Sequence, residues 1–130
     1  MAEAKQLSTL FKHTFWADNR SPANVRRMLK HTPLTVSAWD GKQLVGFARV
    51  LTDFTYRAVL YDVVVDPAYR GRGIGKEMLR QLHEHPKLKR VDVWYLSTRD
   101  AHGLYEKFGW QRNSKDFMKW RRTPAAEKAS

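Results

Sequence analysis

The stretch from Val59 to Lys76, VLYDVVVDPAYRGRGIGK, constrains this chain more than any other. It passes from a β-branched apolar run through Asp66-Pro67 into a loop with glycines at 71, 73 and 75. Val and Tyr suit a half-buried strand, and Asp-Pro stops one. Glycines adopt backbone conformations closed to other residues and let the main chain approach a ligand closely. Ile74, Met78, Leu79 and Leu82 then recur at i, i+4, i+5 and i+8, which predicts a helix. A helix opened by such a loop presents unpaired N–H groups and the positive end of its dipole, a combination suited to phosphate.

Two common phosphate loops do not fit. A Walker A loop ending at Gly75-Lys76 needs glycine at position 70 and a hydroxyl at 77, where the chain has Arg70 and Glu77. A dinucleotide fingerprint needs a third glycine where Lys76 or Met78 stands. What remains is Arg-x-x-Gly-x-Gly, from Arg70 through Gly73 to Gly75. This run resembles the acetyl-CoA pyrophosphate loop of the GNAT superfamily of N-acetyltransferases.

A second segment carries the same resemblance. Thr98 to Trp110, TRDAHGLYEKFGW, is similar to the family run Asn-x-x-Ala-x-x-Leu-Tyr-Glu-Lys-x-Gly-Phe. Ala101, Leu104, Tyr105, Glu106, Lys107 and Gly109 match in register, while Thr98 replaces the Asn and Trp110 the Phe. The resemblance covers roughly Leu34 to Trp120, and two motifs at the expected separation are more specific than either alone.

The chain in order predicts helices over Ala2–Lys12 and Ala23–Lys30, the second with Ser21 as cap and Pro22 at its first position. Strands follow at Leu34–Trp39, Leu44–Val50 and Tyr56–Val65, with Asp40-Gly41-Lys42 and Asp53-Phe54-Thr55 as turns. The glycine loop and its helix come next, ending near His85-Pro86, and then a strand at Val91–Leu96. That strand is reached through a helical crossover, which favours parallel pairing with its predecessor. A short helix over Asp100–Phe108 capped by Gly109, a turn at Asn113–Lys115 and a strand at Phe117–Arg121 complete the order. This is an α+β order that looks like the GNAT fold: a mixed, mostly antiparallel sheet with a central pyrophosphate-binding helix. Family members often begin with a strand, which is expected to be missing or short here. Residues 1–122 are expected to form a single acetyltransferase domain, and 123–130 a flexible tail.

Composition limits the alternatives. No apolar run approaches 18 residues, the N-terminus lacks a signal-like apolar stretch, and there is no cysteine. A cytoplasmic protein without membrane association, disulfides or a thiol nucleophile is the expectation. The formal charge of +11, from 24 Lys+Arg against 13 Asp+Glu, attracts polyanions, and both CoA and nucleic acid qualify. No nucleic-acid motif accompanies the charge, so a nucleic-acid partner is not expected.

Acetyl transfer from a thioester needs a neutral amine, stabilisation of the carbonyl oxygen as it gains charge, and a leaving thiolate. A lysine-like amine of pKa ~10.4 is neutral only about one part in 10³ at pH 7, a barrier of roughly 4 kcal/mol. The resemblance implies Tyr105 as general acid for the thiolate, and a phenol is a donor near neutrality. It also implies a role for Asp62, which would orient or deprotonate the amine, directly or through water. An unpaired carboxylate in an apolar strand is costly, so Asp62 pointing to solvent or pairing with an arginine is the competing reading. Alternation sets Leu60, Asp62 and Val64 opposite Tyr61, Val63 and Val65, with Tyr61 read as a core aromatic. By the same resemblance, Val63, Val64 and Val65 contact pantetheine through their backbone. Arg70, Gly71, Arg72, Gly73, Ile74, Gly75 and Lys76 hold the pyrophosphate, and Thr98 takes the pantetheine contact of the family Asn.

Other residues read as structural. His83-Glu84-His85 lacks the i, i+4 spacing of a helical metal site, and no metal is expected. His102 precedes Tyr105 by one turn and reads as exposed. Arg26-Arg27 and Arg121-Arg122 read as solvated charge, and Phe15, Trp16 and Trp94 as core or acceptor-entrance aromatics. The expectation is an acetyl-CoA-dependent N-acetyltransferase, monomeric or homodimeric, acting on a small-molecule or peptide amine in a ternary complex. A non-catalytic CoA-binding module and a basic nucleic-acid binder are the alternatives.

Overall fold

The computed structural model describes residues 2–98, 101–112 and 117–122. The predicted turn at Asn113–Lys115 and the tail from Thr123 lie outside the described residues. Six strands form one sheet in the order β1-β2-β3-β4-β6-β5. They are β1 (Leu34–Asp40), β2 (Gln43–Thr52), β3 (Arg57–Val65), β4 (Val93–Ser97), β5 (Gln111–Arg112) and β6 (Phe117–Arg121). The helices are α1 (Ala2–Phe11), α2 (Pro22–Lys30), α3 (Ile74–His83) and α4 (His102–Glu106). The sheet is mixed and mostly antiparallel, with β3 and β4 parallel as the crossover through α3 requires. Among the described residues no strand precedes α1.

By its internal packing the chain divides into two compact units, Met1–Arg49 with Asp62–Leu82, and Val50–Tyr61 with His83–Ser130. In the first unit α1 buries Ala4, Leu7, Leu10 and Phe11 together with Val25 of α2, Leu44 and Phe47 of β2, and Val64 of β3. Phe11 meets Phe47 edge to face with ring centroids 6.0 Å apart. Gln6 fixes the register of helix on strand: its amide donates to the Lys42 carbonyl at 2.9 Å and its oxygen accepts the Leu44 N–H at 2.8 Å. On the other face of β2 lies α3. A Cβ at Gly46 would sit 3.1 Å from Ile74 Cγ2, 3.2 Å from Ala38 Cβ and 3.3 Å from Met78 Sδ. The missing side chain is therefore what lets α3 lie close on the strand.

In the second unit β4 pairs antiparallel with β6, Trp94 opposite Trp120. His83 stands among the rings of Trp94, Phe108, Trp110 and Trp120, with the nearest centroid, Trp120, at 4.2 Å. Its Nε2 accepts from Trp110 Nε1 at 3.0 Å, which leaves the proton of the neutral ring on Nδ1. Burial pushes the His83 pKa down to about 4, helped by the charge of Arg122. Arg121-Arg122 is not the solvated pair that the sequence suggests. Arg122 donates to the backbone carbonyls of Val91, Leu88 and His83 and lies 5.0 Å over Trp120. Arg121 pairs with Asp92. The reason is a set of carbonyls around the end of α3 and the approach to β4 that need donors.

Tyr61 also departs from expectation. It is 42% exposed rather than in the core, because the period of two that buries Ala58 and Leu60 turns Arg57 and Tyr61 outward. Trp94, by contrast, is fully buried.

Candidate active site

The first unit builds a cradle from backbone. After β3, the Asp66 N–H donates to the Val45 carbonyl at 2.8 Å, and the Asp66 carboxylate accepts from the Ala68 N–H, capping a 3-10 turn over Pro67–Tyr69. The chain then runs through Gly71 at φ +80° and Gly73 at φ +81° into α3. The Gly73 carbonyl accepts the Glu77 N–H at 3.0 Å, making Gly73 the residue that starts the helix. The N–H groups of Ile74, Gly75 and Lys76 therefore belong to a first turn that has no intrahelical acceptors for them. A Cβ at Gly71 or Gly73 would find no atom within 4 Å, so the space in front of both is open. Arg70, Arg72 and Lys76 are exposed around it, with the Arg72 guanidinium 4.9 Å over the Tyr69 ring. Tyr69 donates to Asp40 at 2.6 Å, and that bond raises its pKa.

Glu77 would be an awkward neighbour for phosphate at this helix start. It turns instead to Arg80 and Gln81. The Arg80 hydrogen bond, then that of Gln81, holds its carboxyl down to about 2. With Glu77 paired in this way, the remaining exposed charges of residues 70–77 are the cations Arg70, Arg72 and Lys76. Open space, first-turn N–H groups and flanking cations fit a pyrophosphate.

At the head of Val63–Val65 the same unit builds a second feature, this one from side chains. Asp62 is left-handed at φ +58°, a conformation that Asp tolerates better than most residues. Its side chain is 5% exposed and meets two guanidiniums. Arg20 donates from Nη1 to Oδ2 at 2.8 Å and from Nη2 to Oδ1 at 3.3 Å. Arg49 of β2 donates from Nε to Oδ2 at 2.5 Å. Arg20 is held in turn by the faces of Phe11 at 4.8 Å and Trp16 at 5.9 Å, and its carbonyl accepts the buried Ser8 hydroxyl at 2.7 Å. Sequence reading allowed Asp62 an arginine partner but did not name Arg20 or Arg49. They lie 42 and 13 residues away, and no local spacing signals either.

The second unit holds Tyr105 and Thr98. Tyr105 is buried on α4, its ring edge to face with Trp110 at a centroid distance of 5.9 Å. Its carbonyl accepts the N–H groups of Phe108 and Trp110. Thr98 Oγ1 accepts the N–H of Ala101, the residue before α4, at 3.1 Å. Gly109, at φ +89°, closes that segment with the Trp120 indole beside it. Trp120 Nε1 donates to the Phe108 carbonyl at 2.8 Å. His102 is half-buried rather than exposed.

A sequence model described as acetyltransferase (GNAT) domain matches residues 32–112. The chain belongs to the GNAT acetyltransferase family. An uncharacterised ycf52-like N-acetyltransferase of Prochlorococcus marinus is 30% identical over 110 residues, 81% of this chain and 61% of the relative. The chain thus spans about three fifths of that relative's length. Among solved structures, a GNAT-family protein of Xanthomonas campestris aligns at TM-score 0.72 with 32% identity, covering 96% of this chain and 80% of the other. An aminoglycoside 6'-N-acetyltransferase crystallised with coenzyme A aligns at TM-score 0.75 and 21% identity, covering 93% and 91%. At that identity the likeness speaks for the fold alone. The glycine loop, the head of α3 and the whole Thr98–Trp110 run fall within the matched GNAT region.

Proposed function

We propose that this GNAT protein moves an acetyl group from acetyl-CoA to a primary amine by direct transfer in a ternary complex. The observation that carries this reading is the junction of loop and α3, where two positive-φ glycines, a helix start and three exposed cations converge on open space. Arg70 through Lys76 hold the pyrophosphate, mainly through main-chain N–H groups, with Arg72 and Lys76 adding charge. Val63, Val64 and Val65 offer backbone groups to the pantetheine arm. One of their N–H groups stabilises the carbonyl oxygen as negative charge develops on it.

Tyr105 is the general acid. As the new N–C bond forms and the C–S bond breaks, its hydroxyl passes a proton to the departing thiolate, and the amine's proton leaves to water. Thr98 accepts from Ala101 yet keeps its own proton to donate, which suits it to a pantetheine carbonyl. Asp62 orients rather than stores a proton. A carboxylate offers about four lone-pair positions, and the arginines already take one on Oδ1 and two on Oδ2. The position left on Oδ1 suits the acceptor amine or a water beside it. With no cysteine in the chain, no thiol is available for an acyl relay.

The test is release of free thiol from acetyl-CoA with a panel of simple amines, amino acids, aminosugars and peptides. Release should require an amine, and Tyr105→Phe should lower kcat while keeping the melting shift given by acetyl-CoA. A melting shift without thiol release on any amine would indicate a binding module. Salt-sensitive affinity for random duplex DNA with no response to acetyl-CoA would indicate a nucleic-acid binder.

A further inference from the structure

We infer that Arg20 is a specificity-determining residue, and that the acceptor is an amine carrying its own carboxylate, as a free amino acid does. This rests on the acetyltransferase reading above. With pyrophosphate at Arg70–Lys76 and the pantetheine arm running back along Val65 to Val63, the reacting end of the donor reaches the head of that segment. The residue there is Asp62.

Taken alone, Asp62 would make this an acidic place that welcomes ammonium groups. Two guanidiniums on one carboxylate reverse that, leaving a net charge of +1. Exposure decides which charge an incoming molecule meets. The Asp62 side chain is 5% exposed and Arg49 16%, while Arg20 is 30% exposed. The accessible member of the cluster is a guanidinium.

Arg20 is also held in place before anything binds. Its two bonds to Asp62 and its contacts with Phe11 and Trp16 fix the plane of the group. Nη1 spends its other N–H towards Met28 Sδ at 3.8 Å. Among the described residues, Nε–H and the second Nη2–H have no acceptor. Fixed guanidinium donors with unused N–H groups recognise a carboxylate at little ordering cost.

Two consequences follow for the acceptor. A carboxylate beside its amine satisfies Arg20, whereas a polyamine or a polycationic aminosugar brings only like charge. The surplus positive charge also favours the neutral, nucleophilic form of the amine over its ammonium form. The same residue thus selects the acceptor and helps to ready it.

The experiment compares matched acceptors at fixed acetyl-CoA: free amino acids, the corresponding α-amides, and spermidine. Thiol release should favour the best free amino acid over its own amide by roughly tenfold or more in kcat/KM, the value of a charge-assisted hydrogen bond. Spermidine should be poorer still. Arg20→Gln should bring the acid-to-amide ratio close to one, and Arg20→Lys should restore part of it, with the acetyl-CoA melting shift confirming that each variant is folded. A check on the unaltered protein uses the amine-free carboxylic acid of the preferred acceptor, which should compete with the acceptor and not with acetyl-CoA. Amides or spermidine acetylated as well as free amino acids, or a ratio unmoved in Arg20→Gln, would overturn the role of Arg20 while leaving the acetyltransferase reading intact. Absence of thiol release with every amine would overturn both.

Discussion

The glycine cradle and the Asp62 cluster belong to the same unit and are built in opposite ways. The cradle is backbone: Gly71 and Gly73 at positive φ, then the first turn of α3, all within residues 70–76. The cluster is side chain: Arg20 from the loop before α2, Arg49 from β2 and Asp62 from β3. Main-chain N–H groups recognise what every donor molecule shares, its phosphates. Convergent side chains can change one residue at a time without disturbing the strand that carries them. On the proposed reading, the constant substrate is met by backbone, and the variable one by side chains.

The largest expected effect lies outside both features and measures what they serve. Tyr105→Phe should lower kcat by about 10² or more, the usual worth of a general acid, with acetyl-CoA binding kept. A variant with full turnover across the pH range would remove Tyr105 from the chemistry. Gly73→Val should be next. It places a β-branched residue at φ +81°, a strain of about 1–2 kcal/mol, and it fills the open space in front of the helix start. Acetyl-CoA affinity should fall about a hundredfold, the worth of two charge-assisted hydrogen bonds, as read by calorimetry.

Asp62→Ala should break the cluster and spare the cradle. It leaves two partly screened guanidiniums without their partner, a loss of about 2–3 kcal/mol in urea unfolding after discounting the exposed Arg20. Acetyl-CoA should still raise the melting temperature of the folded fraction. A variant that loses both would mean that the two features are one.

One acid-dependent contribution to stability should come from His83. His83 titrates near 4 in the fold and near 6.5 when unfolded, so the unfolded chain binds the extra proton first. Stability should be complete above pH ~6.5, decline as pH falls toward ~4, and change no further from this source below that, by roughly 3 kcal/mol in all. Urea titrations of the protein and of His83→Phe at pH 7 and pH 4.5 measure it. The smallest effect belongs to Gly46→Ala. Its Cβ would press on Ile74, Ala38 and Met78 at 3.1–3.3 Å, for a loss of about 1–2 kcal/mol, with a modest rise in the KM for acetyl-CoA as α3 shifts.

The same division explains what could be read in advance. Local chemistry announces itself. Ser21-Pro22 starts α2, and Ser21 does accept the Asn24 N–H at 3.2 Å. The turn at Gly41 takes φ +60°, and Asp66-Pro67 ends β3. The parallel pairing of β3 and β4 followed from the length of the crossover. Contacts between residues far apart in sequence left no such mark. Arg122 looked like surface charge because the carbonyls it caps come from three other positions. Asp62 was allowed an arginine partner, but which arginine was not legible, because Arg20 precedes it by 42 residues. Gly46 did carry a signal, a lone glycine between Val45 and Phe47 in an apolar strand, which marks a close approach. The two-residue strand β5 was too short to show a period at all.

The most direct measurement is the melting temperature of the protein and of Gly73→Val, each with and without acetyl-CoA. At a hundredfold excess over Kd the unaltered protein should gain about 2.7 kcal/mol, or roughly 8 °C, and Gly73→Val should gain almost nothing. Equal shifts in the two proteins would contradict a cradle at residues 70–76 and with it the assignment of the donor site.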